Sequence, residues 1–387
     1  MSAWLRRLGT VGSDLVAAVW RTFQFARTLG SEGNLKQATL VAAAASDEFL
    51  LACFQQLHAP VDNDAFALTL GEAHDLINYL ERREIFAKHE LWHPSPKPAV
   101  LIESARRAAH VSFSHATYRS PYTPEDEVPG ATRYAKHTGN EIGHVWLLRQ
   151  TRPAPWVVCV HGAGMGDPLV DIAAFRAQSL RAAGFNVAIP VLPHHGPRGA
   201  GRFTLAFPSD DPAGNFHGAS QAIADVRALL AYIAARGEPT ILFGLSLGAY
   251  VAAAVAALEP SITGVILGVP VVDIPELLRT HAPARFARHP RFGDLCELAN
   301  HLDPVTSPLG YPPPATPVRR IWAGRADRLV RPEQVQRLVD HWNTPPVSWY
   351  QGGHLGFFGA PSVRRCVSDA LVEAGVARST HDRLVAI

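Results

Sequence analysis

Three residues in this chain have side chains and spacing that suit nucleophilic catalysis: Ser246, Asp327 and His354, in that order along the sequence. A serine hydroxyl is a weak nucleophile near neutral pH. It becomes effective when an imidazole takes its proton and a carboxylate holds that imidazole in the correct tautomer. Ser246 lies in Gly244-Leu245-Ser246-Leu247-Gly248, between the strand-forming run Ile241-Leu242-Phe243 and an Ala-rich helix reaching Leu258. Turning a strand into a helix over so few atoms strains the central residue, and a Cβ two positions to either side would collide with the turn. The serine hydroxyl is thereby displayed at a helix N-terminus, where the Leu247 amide can face a developing oxyanion.

Other residues compete for these roles. Asp327 stands near Arg325 and Arg328 and also reads as a surface ion pair, with Asp273 the main alternative acid and Asp303 a weaker one. His354 follows Gly352-Gly353, glycines that are expected to leave room for a substrate. His194 and His195 are adjacent in a loop, point in different directions, and have no carboxylate or cysteine at ligand spacing, so a loop role is expected and no metal site. Arg198 and Arg202 either meet a substrate carboxylate or cap a strand-end loop, and neither is assigned to binding. The four cysteines, Cys53, Cys159, Cys296 and Cys366, form no C-x-x-C pair, so neither a zinc site nor a disulfide framework is expected.

The elements that must position these groups follow from the alternation of the chain. Apolar strand-like runs at residues 156–160, 186–191, 241–243, 262–269, 318–323 and 347–350 alternate with helical patterns at 171–183, 220–235, 250–258, 332–341 and 362–374. This implies an α/β fold with a mostly parallel sheet flanked by helices on both faces. Ser246, Asp327 and His354 each follow a strand, so all three fall at the carboxyl edge, where such sheets bind ligands. Residues 110–118 and 142–148 read as an antiparallel edge. Residues 1–109 read as an N-terminal helical region: 38–57 with an apolar stripe (Leu40, Ala43, Ala44, Phe49, Leu50, Cys53, Phe54), 68–80, and a short helix over 98–109. Its apolar faces are expected to pack on the main domain, 110–387.

From about Val111 onward the chain resembles the α/β-hydrolases. The likeness rests on the pentapeptide around Ser246, the His161-Gly162 strand end, Gly324-Arg325-Ala326-Asp327 and Gly353-His354. The resemblance implies that Ser246 is the nucleophile, His354 the general base and then acid, and Asp327 the orienting carboxylate. It also implies oxyanion donors at Leu247 and Ala163, with Gly162 or Gly164 as alternatives to Ala163, and no cofactor. Residues 271–317 fall where this family commonly carries a cap, so Leu277, Leu278, Phe286, Phe292, Leu309 and Tyr311 become candidates for an apolar substrate wall. The expected reaction is hydrolysis of a carboxylic ester or thioester through an acyl-enzyme. Acyl transfer or peptide hydrolysis on the same residues, and a non-catalytic binding module on the same scaffold, are the alternatives. Members that remove halide or open epoxides carry aspartate where this chain has Ser246.

Composition sets outer limits. With 387 residues, 47% hydrophobic, the chain can bury a full core, and a net charge of +2 favours a small-molecule partner over nucleic acid or an anionic membrane. Asp14 interrupts the first apolar run, so a cleaved signal peptide is not expected, and no stretch is long enough to span a bilayer. A cytoplasmic location is the resulting expectation.

Overall fold

The computed structural model describes residues 18–28, 35–56, 62–199 and 206–375. Among the described residues nine strands form one sheet: β1 (Ile102–Ala108), β2 (Val111–Arg119), β3 (Ile142–Leu148), β4 (Trp156–Val160), β5 (Asn186–Pro190), β6 (Thr240–Leu245), β7 (Gly264–Gly268), β8 (Val318–Gly324) and β9 (Val347–Tyr350). Their order is β1-β2-β3-β5-β4-β6-β7-β8-β9. Pairing is antiparallel from β1 to β5 across β2 and β3, and parallel from β5 to β9. Every residue of β4, β5, β6 and β7 is buried, as expected for strands covered on both faces. Two apolar layers result. One lies beneath the helices Pro212–Ala234, Leu247–Leu258 and Pro332–His341, the other beneath Pro168–Ala174, Ala177–Ala182 and Pro361–Glu373.

The alternation read from the sequence holds through the parallel half, and the differences have local causes. Residues 98–109 do not form a helix: Ile102–Ala108 is strand β1, paired with β2 from Ile102↔Thr117 to Ala108↔Val111. Its arginines and alanines favour helix locally, but the free edge of β2 supplies a ladder and the pairing prevails. Because β1 is almost wholly exposed, its charged residues also blunt an open sheet edge. The helix expected over 171–183 is two short ones, broken at Arg176, whose φ is 50°. The one expected from 220 begins at Pro212, with Asn215 and Gly218 inside it. Those residues read poorly as helix formers, but a Cβ at Gly218 would lie 2.8 Å from the Phe207 ring, so the glycine permits a close contact inside the helix.

Residues 271–317 form helices Ile274–His281, Ala284–Ala287 and Phe292–Leu302 with short 3-10 turns after them. The N-terminal helix Asn63–Arg82 packs on this segment, where Phe66 and Leu70 cluster with Phe286 and Leu295. Further along, Leu76 and Leu80 join Phe216, Leu302 and Val305. The apolar residues expected to wall a substrate are therefore engaged in packing: Leu277, Leu309 and Tyr311 against the main core, Leu278, Phe286 and Phe292 against the Phe66 cluster.

In helix Leu35–Gln56 the expected apolar stripe coincides with the buried face only in part: Ala44 is buried, and Leu40, Ala43 and Leu50 are half-buried. Phe49 is exposed, and the buried positions are Ala44, Asp47, Glu48, Leu51, Ala52 and Gln55. The side chains of Cys53 and Phe54 lie outside the described residues. Among the described residues no helix is long and apolar enough to cross a membrane.

Candidate active site

Ser246 occupies the single-residue junction between β6, ending at Leu245, and the helix beginning at Leu247. Its backbone sits at φ 52° and ψ −115°, a costly conformation for a residue with a Cβ, and the surroundings hold it there. The Ser246 amide donates to the Gly268 carbonyl at 2.8 Å, while its own carbonyl accepts from Ala249 and Val271. A Cβ at Gly244 would come within 2.5 Å of the Ala249 Cα, and one at Gly248 within 2.0 Å of the Val160 carbonyl oxygen. Both contacts are with backbone, so these glycines are required by the close approach of the helix to β4 and β6.

His354 brings the three residues together. Its Nε2 lies 3.0 Å from Ser246 Oγ and its Nδ1 lies 2.8 Å from Asp327 Oδ2. Asp327 Oδ1 in turn accepts the amides of Leu329 and Val330, each at 2.9 Å. With a carboxylate at Nδ1, the neutral imidazole carries its proton there and turns its Nε2 lone pair to the serine. Burial pulls the His354 pKa down, but the Asp327 charge, its hydrogen bond and the Asp47 charge together hold it above the ordinary imidazole value. Asp327 and His354 are 2% and 5% exposed, so this electrostatic coupling is poorly screened.

The strand-end loop after β4 runs against the serine, since a Cβ on Gly162 would lie 3.4 Å from Ser246 Cβ. The Gly162 amide already donates to Met165 Sδ at 3.3 Å, whereas Ala163 is half-buried beside it. Asp171 anchors the far end of the loop. Its carboxylate accepts the Gly166 amide and the Trp146 indole N–H, each at 3.0 Å, and burial raises its pKa to about 7. His161 is wholly internal, pushed down to about 4 by burial, and accepts the Leu192 amide at 3.0 Å.

The competing residues are turned elsewhere. Asp273 caps the helix Ile274–His281 through the Glu276 amide at 2.7 Å and pairs with Arg337. The half-buried Asp303 accepts the Tyr250 hydroxyl at 3.2 Å, with desolvation raising it to about 8. Arg328 binds Glu48 rather than Asp327, and the Arg325 guanidinium lies over the Trp349 ring. His194 interlocks with Asn140, while His195 Nδ1 lies 2.8 Å from the Pro193 carbonyl. Burial pushes both histidines down to about 3, and among the described residues no cluster of three potential ligands could hold a metal. Arg198 is buried on the Val191 and Asn140 carbonyls and pairs with Asp225 at 2.7 Å. That engagement leaves it a brace of the strand-end loop. Arg202 lies outside the described residues. Cys159, Cys296 and Cys366 are free thiols.

One site residue escaped the sequence reading. Asp47, from helix Leu35–Gln56, reaches the back of the site, where its carboxylate accepts the His354 amide at 2.8 and 3.0 Å and the Arg328 amide at 2.9 Å. A Cβ at Gly353 would lie 2.6 Å from Asp47 Oδ2. That glycine therefore makes room for Asp47, not for a substrate. The available signal was an Asp47-Glu48 pair set between the apolar runs Leu40–Ala45 and Phe49–Ala52, an unusual place for two carboxylates unless both have partners.

Comparison with known proteins places the chain. An uncharacterised protein of Mycobacterium tuberculosis (strain H37Rv) is 42% identical over 299 residues, covering 75% of this chain and 72% of the relative. Among solved structures, an acetyl xylan esterase from Paenibacillus sp. R4 superposes with a TM-score of 0.50 at 15% identity, covering 85% of this chain and 99% of that one. Acetyl xylan esterase 1 from Thermoanaerobacterium sp. JW/SL YS485 gives 0.50 at 14% identity, covering 75% and 94%. Residues 157–386 match the profile of the Alpha/beta hydrolase family, a span that takes in the serine turn, both partner loops and the parallel strands that carry them. The chain belongs to the α/β-hydrolase family.

Proposed function

We propose that the protein is a serine hydrolase that cleaves a carboxylic ester or thioester through an acyl-enzyme. The observation that carries this reading is the unbroken alignment Ser246 Oγ, His354 Nε2, His354 Nδ1, Asp327 Oδ2, with separations of 3.0 and 2.8 Å at its two polar contacts. His354 Nε2 takes the hydroxyl proton as Ser246 Oγ attacks the carbonyl carbon, and Asp327 stabilises the imidazolium so formed. The tetrahedral oxyanion is met by the Leu247 amide, at the positive end of its helix, and by the Ala163 amide from the loop after β4. Ala163 is preferred to Gly162 because the Gly162 amide is already given to Met165. Collapse breaks the bond to the alcohol or thiol, which leaves with the proton from Nε2. Water then delivers a proton to Nε2 and its oxygen to the acyl carbon, and return of that proton to Oγ releases the acid.

The reading is supported by a serine turn built as a strained, hydroxyl-displaying junction, which an ordinary loop serine does not need. Its test is turnover of a panel of short and long acyl esters and thioesters by wild type and Ser246→Ala. Hydrolysis that disappears in the variant, with the thermal melt unchanged, is expected. Equal hydrolysis by both would refute the assignment. Adding a competing alcohol or amine acceptor separates hydrolysis from acyl transfer.

A further inference from the structure

We propose that Asp47 is a positioning residue of this site: the N-terminal helix Leu35–Gln56 delivers a carboxylate that ties the His354 backbone to the Arg328 backbone. It rests on the reading of Ser246, His354 and Asp327 as the reacting set. Two loops must be held at a fixed separation for His354 to bridge serine and aspartate. One follows β8 and carries Asp327; the other follows β9 and carries His354. They are joined directly by the Ala326 amide on the Gly352 carbonyl at 3.0 Å and by the Asp327 side chain on the His354 ring. Asp47 adds a third link from behind, through a single oxygen that receives both the Arg328 amide and the His354 amide.

The connection is built for this purpose at several points. Asp47 is 3% exposed and sits opposite Gly353, whose missing Cβ is what allows the approach. Next to it, Glu48 is 1% exposed and binds both Arg21 and the Arg328 side chain, so the same helix grips Arg328 at backbone and side chain. Burying a carboxylate is unfavourable unless it is repaid by hydrogen bonds, and the amides of His354 and Arg328 supply them. The charged and titratable groups facing Asp47 are Asp327, His354, Arg328 and Tyr350. Burial, with the Asp327 charge adding to it, raises the Asp47 pKa to about 6 against the pull of those amides and of His354. Asp47 thus acts on the site in two ways, by holding the loop and by adding negative charge behind the imidazole.

The experiment is the pH dependence of the second-order rate of inactivation by a fluorophosphonate, measured on the full chain as wild type, Asp47→Ala and Asp47→Asn. The probe reports serine reactivity without a known substrate. Asp47→Ala removes both amide contacts and is expected to slow inactivation roughly 10- to 100-fold, the range for displacement of a catalytic group by an ångström or less. Asparagine can place its carbonyl oxygen where one Asp47 oxygen now sits and keep the two amide bonds. Asp47→Asn should therefore retain most of the plateau rate, while its acid limb moves to lower pH because the negative charge behind His354 is gone. A melt checks that each variant is folded. If Asp47→Ala does not fold, the downfield Nδ1 proton of His354, followed by NMR in Ser246→Ala with and without Asp47→Asn, decides the matter: its titration must move to lower pH. Wild-type rates and profiles in the folded variants, or an unmoved His354 titration, would overturn the proposal while leaving the serine hydrolase reading intact. A wild-type protein that the probe never modifies would overturn that reading and this one together.

Discussion

His354 Nδ1 and Asp327 Oδ2 lie 2.8 Å apart at the ends of two different strands, and the second oxygen of Asp327 is held by the amides of Leu329 and Val330. The carboxylate is thus oriented before any substrate arrives. In Asp327→Asn the amide group would be offered to the ring, favouring the wrong tautomer and removing the charge that stabilises the imidazolium. A fall in kcat on the order of 10³ to 10⁴ is expected with little change in stability, measured by ester hydrolysis alongside a denaturation curve. Retention of activity would return attention to Asp273 or Asp303.

The pH profile follows from the same pair. The proposed mechanism requires the base form of His354, whose pKa is held above the ordinary imidazole value because the Asp327 and Asp47 charges outweigh burial. Activity should therefore rise with pH through an acid limb displaced upward from that value. The profile of kcat/KM for a non-ionising ester reads the free enzyme directly. An acid limb below the ordinary imidazole range would mean that burial dominates.

Gly248→Ala tests the turn itself. The added methyl would lie 2.0 Å from the Val160 carbonyl oxygen, a backbone atom that can move only by shifting β4 or the serine helix. A loss of about 1–3 kcal/mol in stability, together with reduced activity, is expected from urea denaturation and assay of the folded fraction. The same substitution at Gly293, where an added Cβ meets nothing within 4 Å, serves as the control.

Arg198 separates a structural role from a substrate role. Its guanidinium is buried on Asp225 and two carbonyls, so Arg198→Met leaves the buried Asp225 without a cationic partner, held only by the Ser120 hydroxyl at 2.6 Å. Breaking one side of such a pair costs about 3–5 kcal/mol, which should appear as a large shift of the urea midpoint. The double variant Arg198→Met/Asp225→Asn should recover part of it. An Arg198 that instead bound substrate would raise KM at unchanged stability.

The meeting of Ser246, Asp327 and His354 was legible because each residue leaves marks at short range. Gly244 and Gly248 are demanded by contacts with residues next to Ser246 or on the neighbouring strand, and Asp327 and His354 follow strands whose apolar runs are plain. Strand β1 was not legible, because only the free edge of β2 turns its arginine-containing run into a strand. Asp47 was hidden for a related reason: its partners are amides of residues far along the chain, and backbone amides carry no sequence signature. An apolar stripe marks where a helix meets other side chains. It says nothing about a helix that meets bare backbone at Gly353, and there the buried face carries Asp47 and Glu48.

Covalent capture of the nucleophile tests the role of Ser246 most directly. Purified wild-type protein is treated with a fluorophosphonate and the adduct is located by peptide mass spectrometry, with Ser246→Ala and His354→Ala in parallel. A Ser246 nucleophile activated by His354 gives a single adduct on the peptide containing Ser246, absent from the serine variant and greatly slowed in the histidine variant. A folded wild-type protein that gains no adduct, or an adduct that persists in Ser246→Ala, would contradict that role.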